Sequence, residues 1–537
     1  MTNSVNFQAA QALLFNLYGM YGIYGLFLAA VALYSVSLVI YRLYLHPLAR
    51  FPGPKIAAAT GWYEFYHDVI RGGMYIHEVQ KMHREYGSII RINPYEIVIK
   101  DPDYYNTVYV ASNTRRSEKW YTLQGTGLEG KTFFFFHPKL VIKGAMGMTM
   151  GHELHRRRRK YFDPFFSRLG VTQIEGVIMD EIQLLTDRLE GYRKSGRTIQ
   201  MEHVMAAFTG DIVTKICSEK SPNMIRHPEF GKEWYVTIHT YQHQVHLFMQ
   251  LPHLISLTQL IPRGLVTRFS PGAAAFKSLH QYAFDHITVA KKDMIRAEKV
   301  QQEAGRSSVF RHVLSSDMPE SERETERLAR EALQLFGAGT ATLVRAFSMI
   351  FYHVLSNPQM RERLREELKE IMAEYPAKRP TWQELERLPY LHGIVKEGLR
   401  LSYGVMRHLA RVSPDQALQY REWTIPAGTP VGMSSHSLHS DPETFPEPSR
   451  FLPERWIENK HHLNMNRNWV PFARGSRMCI GMNLALAEMY WVLAVLFRPG
   501  APELELFETV EADVVPVRDY VGGVPEFGTK GVRVTIE

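Results

Sequence analysis

Phe472-Ala-Arg-Gly475-Ser-Arg477-Met-Cys479-Ile-Gly481 runs directly into an apolar-periodic segment that reads as a helix over residues 481–497. Glycines 475 and 481 permit a tight backbone approach around the sulfur and leave N–H groups facing it, while the helix turns its positive end towards the same point. Those donors are expected to favour a thiolate at Cys479. A hydrogen-bonded thiolate with an arginine two residues before it is what an iron porphyrin requires as an axial ligand, with Arg477 free to pair with a propionate. A lone cysteine is more commonly an inert buried hydrophobe, so the spacing around it carries the argument.

The rest of the chain is compatible with one large helical body. Its 537 residues are 45% hydrophobic and 22% charged, enough to bury a sizeable core and unlike a disordered or fibrous chain. Only two cysteines occur, Cys217 and Cys479, which excludes a disulfide framework and any multi-cysteine zinc or iron–sulfur centre. The formal net charge of +8 fits an acidic partner or membrane surface without demanding nucleic acid. Helical periodicity is expected over 75–86, 152–168, 172–194, 200–217, 274–303, 324–356, 359–374, 383–401 and 481–497. β-Branched alternation predicts strands within Ser88–Lys100 and Ala417–Met433, the latter carrying a Pro426-Ala427-Gly428 turn. The pattern from Glu324 to Ser356 makes a rod of about 50 Å, ended by Asn357-Pro358.

No Asp, Glu, Lys or Arg precedes Arg42, and Leu17–Tyr41 is apolar with tyrosines suited to membrane interfaces. A single membrane-spanning anchor is expected, with Arg42, Arg50 and Lys55 holding the remainder of the chain in the cytosol. A cleaved signal peptide is disfavoured by the missing basic start and the length of the apolar run. Residues 1–46 are therefore read as the anchor with the start of a proline hinge, and 47–537 as the cytosolic body.

Further motifs occur in a fixed order. Glu397-Gly-Leu-Arg400 places two charges one helical turn apart, and Pro453-Glu454-Arg455-Trp456 supplies an arginine that could join them. This order, Glu-x-x-Arg, then Pro-Glu-Arg-Trp, then Phe-x-x-Gly-x-Arg-x-Cys-x-Gly, resembles the cytochrome P450 heme-thiolate monooxygenases, in particular the microsomal enzymes of fungal secondary metabolism. The resemblance implies a mainly α fold with a small β side sheet and heme as cofactor. Cys479 would be its axial iron ligand, Phe472 and Arg477 would lie in its loop, and Glu397, Arg400 and Arg455 would be structural. His155 and Arg159, four apart in Gly151–Pro164, match a pair that contacts the heme propionates, and Arg411 and Arg115 are further cofactor-binding candidates. Ala338 and Gly339 would leave room for dioxygen on the long helix, and Thr342 would support proton delivery. Ala341 stands where the family usually has an acid, which leaves an isomerase or dehydratase without net oxygenation as the alternative. An NADPH-dependent flavoprotein reductase, an apolar substrate of terpenoid or polyketide type and the endoplasmic reticulum membrane are the implied partners and location.

Gly125-Thr-Gly127-Leu-Glu-Gly130-Lys131-Thr132 also satisfies a P-loop pattern. It lacks the buried strand before it and the helix after it that phosphate binding needs, so a nucleotide-binding protein is the weaker reading. The flanking Trp120, Tyr121 and Phe133–Phe136 are read as a wall of the substrate pocket.

Overall fold

The structure is a computed structural model, and it describes residues 23–111, 115–120, 144–218, 221–251, 254, 261–300, 308–458 and 463–537. Helices dominate, as the periodicity predicts. The main ones are α1 (Ile23–Leu45), α2 (His152–Arg159), α3 (Arg168–Ser195), α4 (Met201–Ser218), α5 (Pro271–Val300), α6 (Thr325–Leu355), α7 (Pro389–Leu401) and α8 (Met482–Phe497).

α6 is the central rod, packed against α4, α5 and α7. Leu328, Leu335, Leu343, Phe347, Ile350 and Val354 recur at the three- and four-residue spacing that gives a helix a buried face. It stops at Ser356 because Asn357 caps the next helix, its side chain accepting the Met360 amide, and Pro358 cannot continue α6. α8 is apolar on every side apart from Asn483 and Glu488 and is buried from Ala487 to Phe497, lying against α3 and α7. Two of the expected helices are broken. Residues 152–168 split into α2 and Asp163–Phe166, and 383–401 into Trp382–Glu386 and α7. In each case a proline, Pro164 or Pro389, opens the second piece, where its missing N–H costs nothing.

The β content is small. A five-stranded sheet runs in the spatial order Ile89–Arg91, Ile97–Ile99, Pro430–Gly432, Arg411–Val412, Glu118–Lys119. The first two strands form a hairpin with Ile90 opposite Val98. The expected strand region Ala417–Met433 divides between two sheets, because Leu418–Tyr420 and Trp423–Ile425 close on each other while Pro430–Gly432 joins the larger one.

α1 is 23 residues long with mean hydropathy 2.2 and none of its apolar window buried. It ends four residues beyond the expected span, and residues 17–22 lie outside the described residues. Arg42, near its end, donates to the Ala59 carbonyl at 2.9 Å and to the Tyr95 hydroxyl at 2.6 Å.

Candidate functional site

A cavity of about 380 Å³ opens between α6, α8, the loop before α8 and the edge of the five-stranded sheet. Cys479 faces it. The loop from Phe472 is closed by the Cys479 amide donating to the Phe472 carbonyl at 2.9 Å and by the Ser476 amide donating to the Val110 carbonyl at 2.9 Å. Gly475 adopts φ +75°, and a Cβ there would lie 2.4 Å from the Val110 carbonyl oxygen, so the turn admits only glycine. Gly481 caps α8. Burial pushes the Cys479 thiol up, and the hydrogen bond from the Gly481 amide and the charge of Arg159 only partly oppose it. Gly481 and Arg159 thus act in the direction of thiolate, as expected of donors around the sulfur, against the effect of burial. A coordinated metal cation would act in the same direction as these donors.

Around the same cavity the fold gathers cations from three separate stretches. Arg411 lies on an inner strand of the five-stranded sheet, between Glu118–Lys119 and Pro430–Gly432, buried, 5.2 Å from the Tyr109 ring centre. Arg477 donates to the carbonyls of Thr149 at 2.6 Å and Met150 at 2.5 Å. Burial, then the neighbouring Arg411, push its pKa down to about 9. Arg159, on α2, bonds the Met478 carbonyl at 2.7 Å and Asp163 at 2.9 Å. His155, one turn earlier, is pushed down to about 2 by burial and then by Arg477 and Arg159, so it is neutral. Arg411 and Arg477 have only backbone carbonyls as hydrogen-bond acceptors among the described residues. Two mutually repelling buried guanidiniums beside a cysteine suit a flat macrocycle bearing carboxylates, so the donor set fits heme.

α6 forms another part of the wall. Ala338 and Thr342 present their side chains to the cavity, and the Thr342 hydroxyl donates to the Ala338 carbonyl at 2.9 Å. Gly339 also borders the cavity, but a Cβ on it would meet Val213 of α4 at 3.4 Å, an ordinary contact. Packing against α4 therefore does not require glycine at this position. Ala341 packs against the core.

Glu397 and Arg400 of α7 form a fully buried pair through two bonds of 2.9 and 2.8 Å. Arg455 adds a bond of 2.9 Å to the same carboxylate, and the Trp456 indole N–H another of 2.9 Å. Burial acts to raise the Glu397 carboxyl, but the bonds and charges of Arg400 and Arg455 outweigh it and hold it below the usual carboxylate range. Arg400 also donates to the His439 carbonyl at 2.8 Å, and His439 accepts the Val470 amide at 2.9 Å, which ties the pair to the cavity wall.

Arg115 is not brought to the cavity. Its guanidinium bonds the Thr107 carbonyl at 2.7 Å, and that bond holds it against the short helix Tyr105–Val108 on the surface side. The glycine-rich stretch 125–132, Tyr121 and Phe133–Phe136 lie outside the described residues, and Trp120, which is described, does not line the cavity. Sequence reasoning missed Arg407, Glu488 and Val521, all of which line the cavity. Glu488 left a signal, being the single charged residue in the apolar run of α8.

Comparison with known proteins agrees with this geometry. The family model described as Cytochrome P450 matches residues 59–499. The chain is 88% identical over 520 residues to the cytochrome P450 monooxygenase vrcB of Aspergillus aculeatus, covering 95% of this chain and 98% of that protein. It is 55% identical over 533 residues to stellatic acid synthase of Emericella variicolor, covering 95% and 94%. It is 40% identical over 503 residues to fusicoccadiene C-8 hydroxylase of Phomopsis amygdali, covering 93% of each.

Proposed function

Because this chain belongs to the cytochrome P450 family, as a heme-dependent monooxygenase of fungal secondary metabolism, we propose that it inserts one oxygen atom from dioxygen into an apolar hydrocarbon skeleton. The two relatives named for stellatic acid and for fusicoccadiene hydroxylation support a terpenoid over a polyketide substrate. Electrons come from an NADPH-dependent flavoprotein reductase, and the exposed basic side chains Arg156 and Arg157 of α2 suit an acidic partner surface.

When bound, the heme supplies the activation and cleavage of dioxygen, assisted by electron donation from a cysteine thiolate. Cys479 holds it from the α8 side. Arg411, Arg477 and Arg159 offset the charge of its carboxylates, and neutral His155 donates or accepts a hydrogen bond there without adding charge. Thr342 keeps a hydroxyl at the α6 wall, where it relays protons. No carboxyl stands at position 341, so protons would reach that hydroxyl through water, another side chain or the substrate itself. The apolar remainder of the wall excludes bulk water and binds the substrate by burial. The anchor 1–46 holds the body 47–537 at the cytosolic face of the endoplasmic reticulum membrane.

The observation that carries this reading is that Cys479 and Thr342 line one cavity together with Arg411, Arg477 and Arg159. It is tested by co-expression with a reductase under ¹⁸O-labelled dioxygen, supplying a panel of terpene hydrocarbons. A product carrying one labelled oxygen is expected. An isomer or dehydration product without the label overturns it in favour of the chemistry that Ala341 leaves open.

A further inference from the structure

Residues 144–150 pass through the short helical turn Met146–Met148, which borders the cavity and is gripped from three elements. From α6, Glu331 accepts the Met146 amide at 2.9 Å and Gln334 accepts the Gly147 amide at 3.0 Å. From α2, Arg158 donates to the Gly144 carbonyl at 3.0 Å and to the Thr149 hydroxyl at 2.8 Å. From the end strand of the five-stranded sheet, Lys119 donates to the Gly147 carbonyl at 2.7 Å. The last two residues of the turn do the holding themselves, because the carbonyls of Thr149 and Met150 accept from the Arg477 guanidinium.

Behind these bonds lies one buried ion cluster. Arg158 meets Glu322 through two bonds of 2.7 and 3.0 Å. Arg327 of α6 stands between two carboxylates, 3.1 Å from Glu322 and 2.9 Å from Glu331. Arg327 and Glu331 have no solvent contact, and Arg158 is 2% exposed. Burying four charges carries a desolvation penalty that their mutual attraction repays only in good geometry, and apolar side chains of the same volume often stabilise a core as well. Apolar side chains could not, however, accept the Met146 amide or donate to Gly144 and Thr149. The cluster therefore fixes a stretch of backbone, and Arg477 takes its direction from that backbone, having only carbonyls as acceptors among the described residues.

We propose that Glu331 and Arg158 are positioning residues for the cofactor, holding the turn so that Thr149 and Met150 aim Arg477 at a heme carboxylate. The inference rests on the reading that Arg477 offsets the charge of that carboxylate. An arginine left without its two carbonyls spreads over many rotamers, and ordering it again weakens the heme's hold by that entropy. A second consequence is electrostatic. A cation fixed beside the carboxylates favours the reduced heme, which carries one positive charge fewer, so a wandering Arg477 lowers the reduction potential.

The test follows heme transfer from the full-length heme-loaded protein to excess apomyoglobin, with the heme reduction potential and the urea midpoint measured on the same samples. Arg477→Gln is expected to release heme roughly tenfold faster than the parent and at a lower potential. Glu331→Ala is expected to move both quantities in the same direction, and the double variant to go no further than the larger single effect. Glu331→Gln loses the charge facing Arg327 but keeps an acceptor for the Met146 amide, so its urea midpoint falls while its release rate and potential stay near the parent's. Release rates and potentials that track the urea midpoint through both Glu331 variants make the residue merely structural and overturn the proposal. Additive effects in the double variant overturn it as well, since Glu331 would then act without Arg477. Thr149→Val, which removes the hydroxyl held by Arg158, is expected to speed release, and an unmoved rate there counts against the proposal even where Glu331→Ala does not fold. If Arg477→Gln itself leaves both quantities unmoved, the carboxylate reading falls and takes this inference with it; if only Arg477→Gln moves them, the carboxylate reading stands and the positioning role alone is lost.

Discussion

Glu488 is a carboxylic acid on α8 that borders the cavity with no charged neighbour among the described residues, and burial raises its pKa well above 4.5. Its Oε2 has no hydrogen-bond partner there either. The folded protein therefore keeps a proton that the unfolded chain releases, so the group's contribution to stability is complete below pH 4.5 and is lost as pH rises through its folded pKa. Glu488→Gln keeps the shape and cannot ionise in either state. Its stability relative to the parent is expected to improve as pH rises from 4.5, by up to about 1.4 kcal/mol per pH unit. Urea unfolding at a series of pH values measures this, and parallel curves for the two proteins would contradict it. The same balance of burial against charge governs Cys479, where burial outweighs Gly481 and Arg159, and Arg477, where it works with Arg411 to weaken the guanidinium's hold on its proton.

Among the elements, the site is held by the relation of α7 to the chain beyond it. Glu397 is the shared acceptor of Arg400, Arg455 and Trp456, and the Arg400 side chain has no solvent contact. Removing the carboxylate strands two buried guanidiniums, a loss of about 3–5 kcal/mol. Glu397→Ala is thus expected to give protein with a sharply lower urea midpoint and little bound heme, measured by the absorbance of the purified protein. A midpoint equal to the parent's would mean that the pair is dispensable. Arg400→Lys is not conservative here, because one ammonium cannot reach Glu397, His439, Pro448 and Arg450 as the forked guanidinium does. On α6, Gly339→Ala adds a methyl against Val213 at ordinary contact distance, so the helix tolerates it.

Across the full molecule, α1 spans about 34 Å, more than the ~30 Å hydrocarbon layer, and carries no buried face. Removing residues 1–40 spares Arg42 and its bonds to Ala59 and Tyr95. The truncated protein is expected to bind heme and to move from the membrane pellet to the soluble fraction, as sedimentation and absorbance report; retention in the pellet would assign membrane binding to the body. Much was legible without coordinates. The Cys479 loop could be read because its residues act through local backbone geometry, and spacing along a chain records local geometry. α6, α7 and α8 could be read because a buried helical face repeats every three to four residues. The helix Lys232–Gln242 escaped notice because its surface is mixed, and Arg115 was grouped with the cofactor residues because sequence does not say which way an arginine turns. Residue order alone was enough for the heme-thiolate family, the cysteine, the Glu397–Arg400 motif and the apolar anchor. It took the packed chain to show that Glu488, Arg407 and Val521 share the cavity with Cys479, and that burial works against ionisation of its thiol, since desolvation and long-range pairing depend on what the rest of the chain packs around a group.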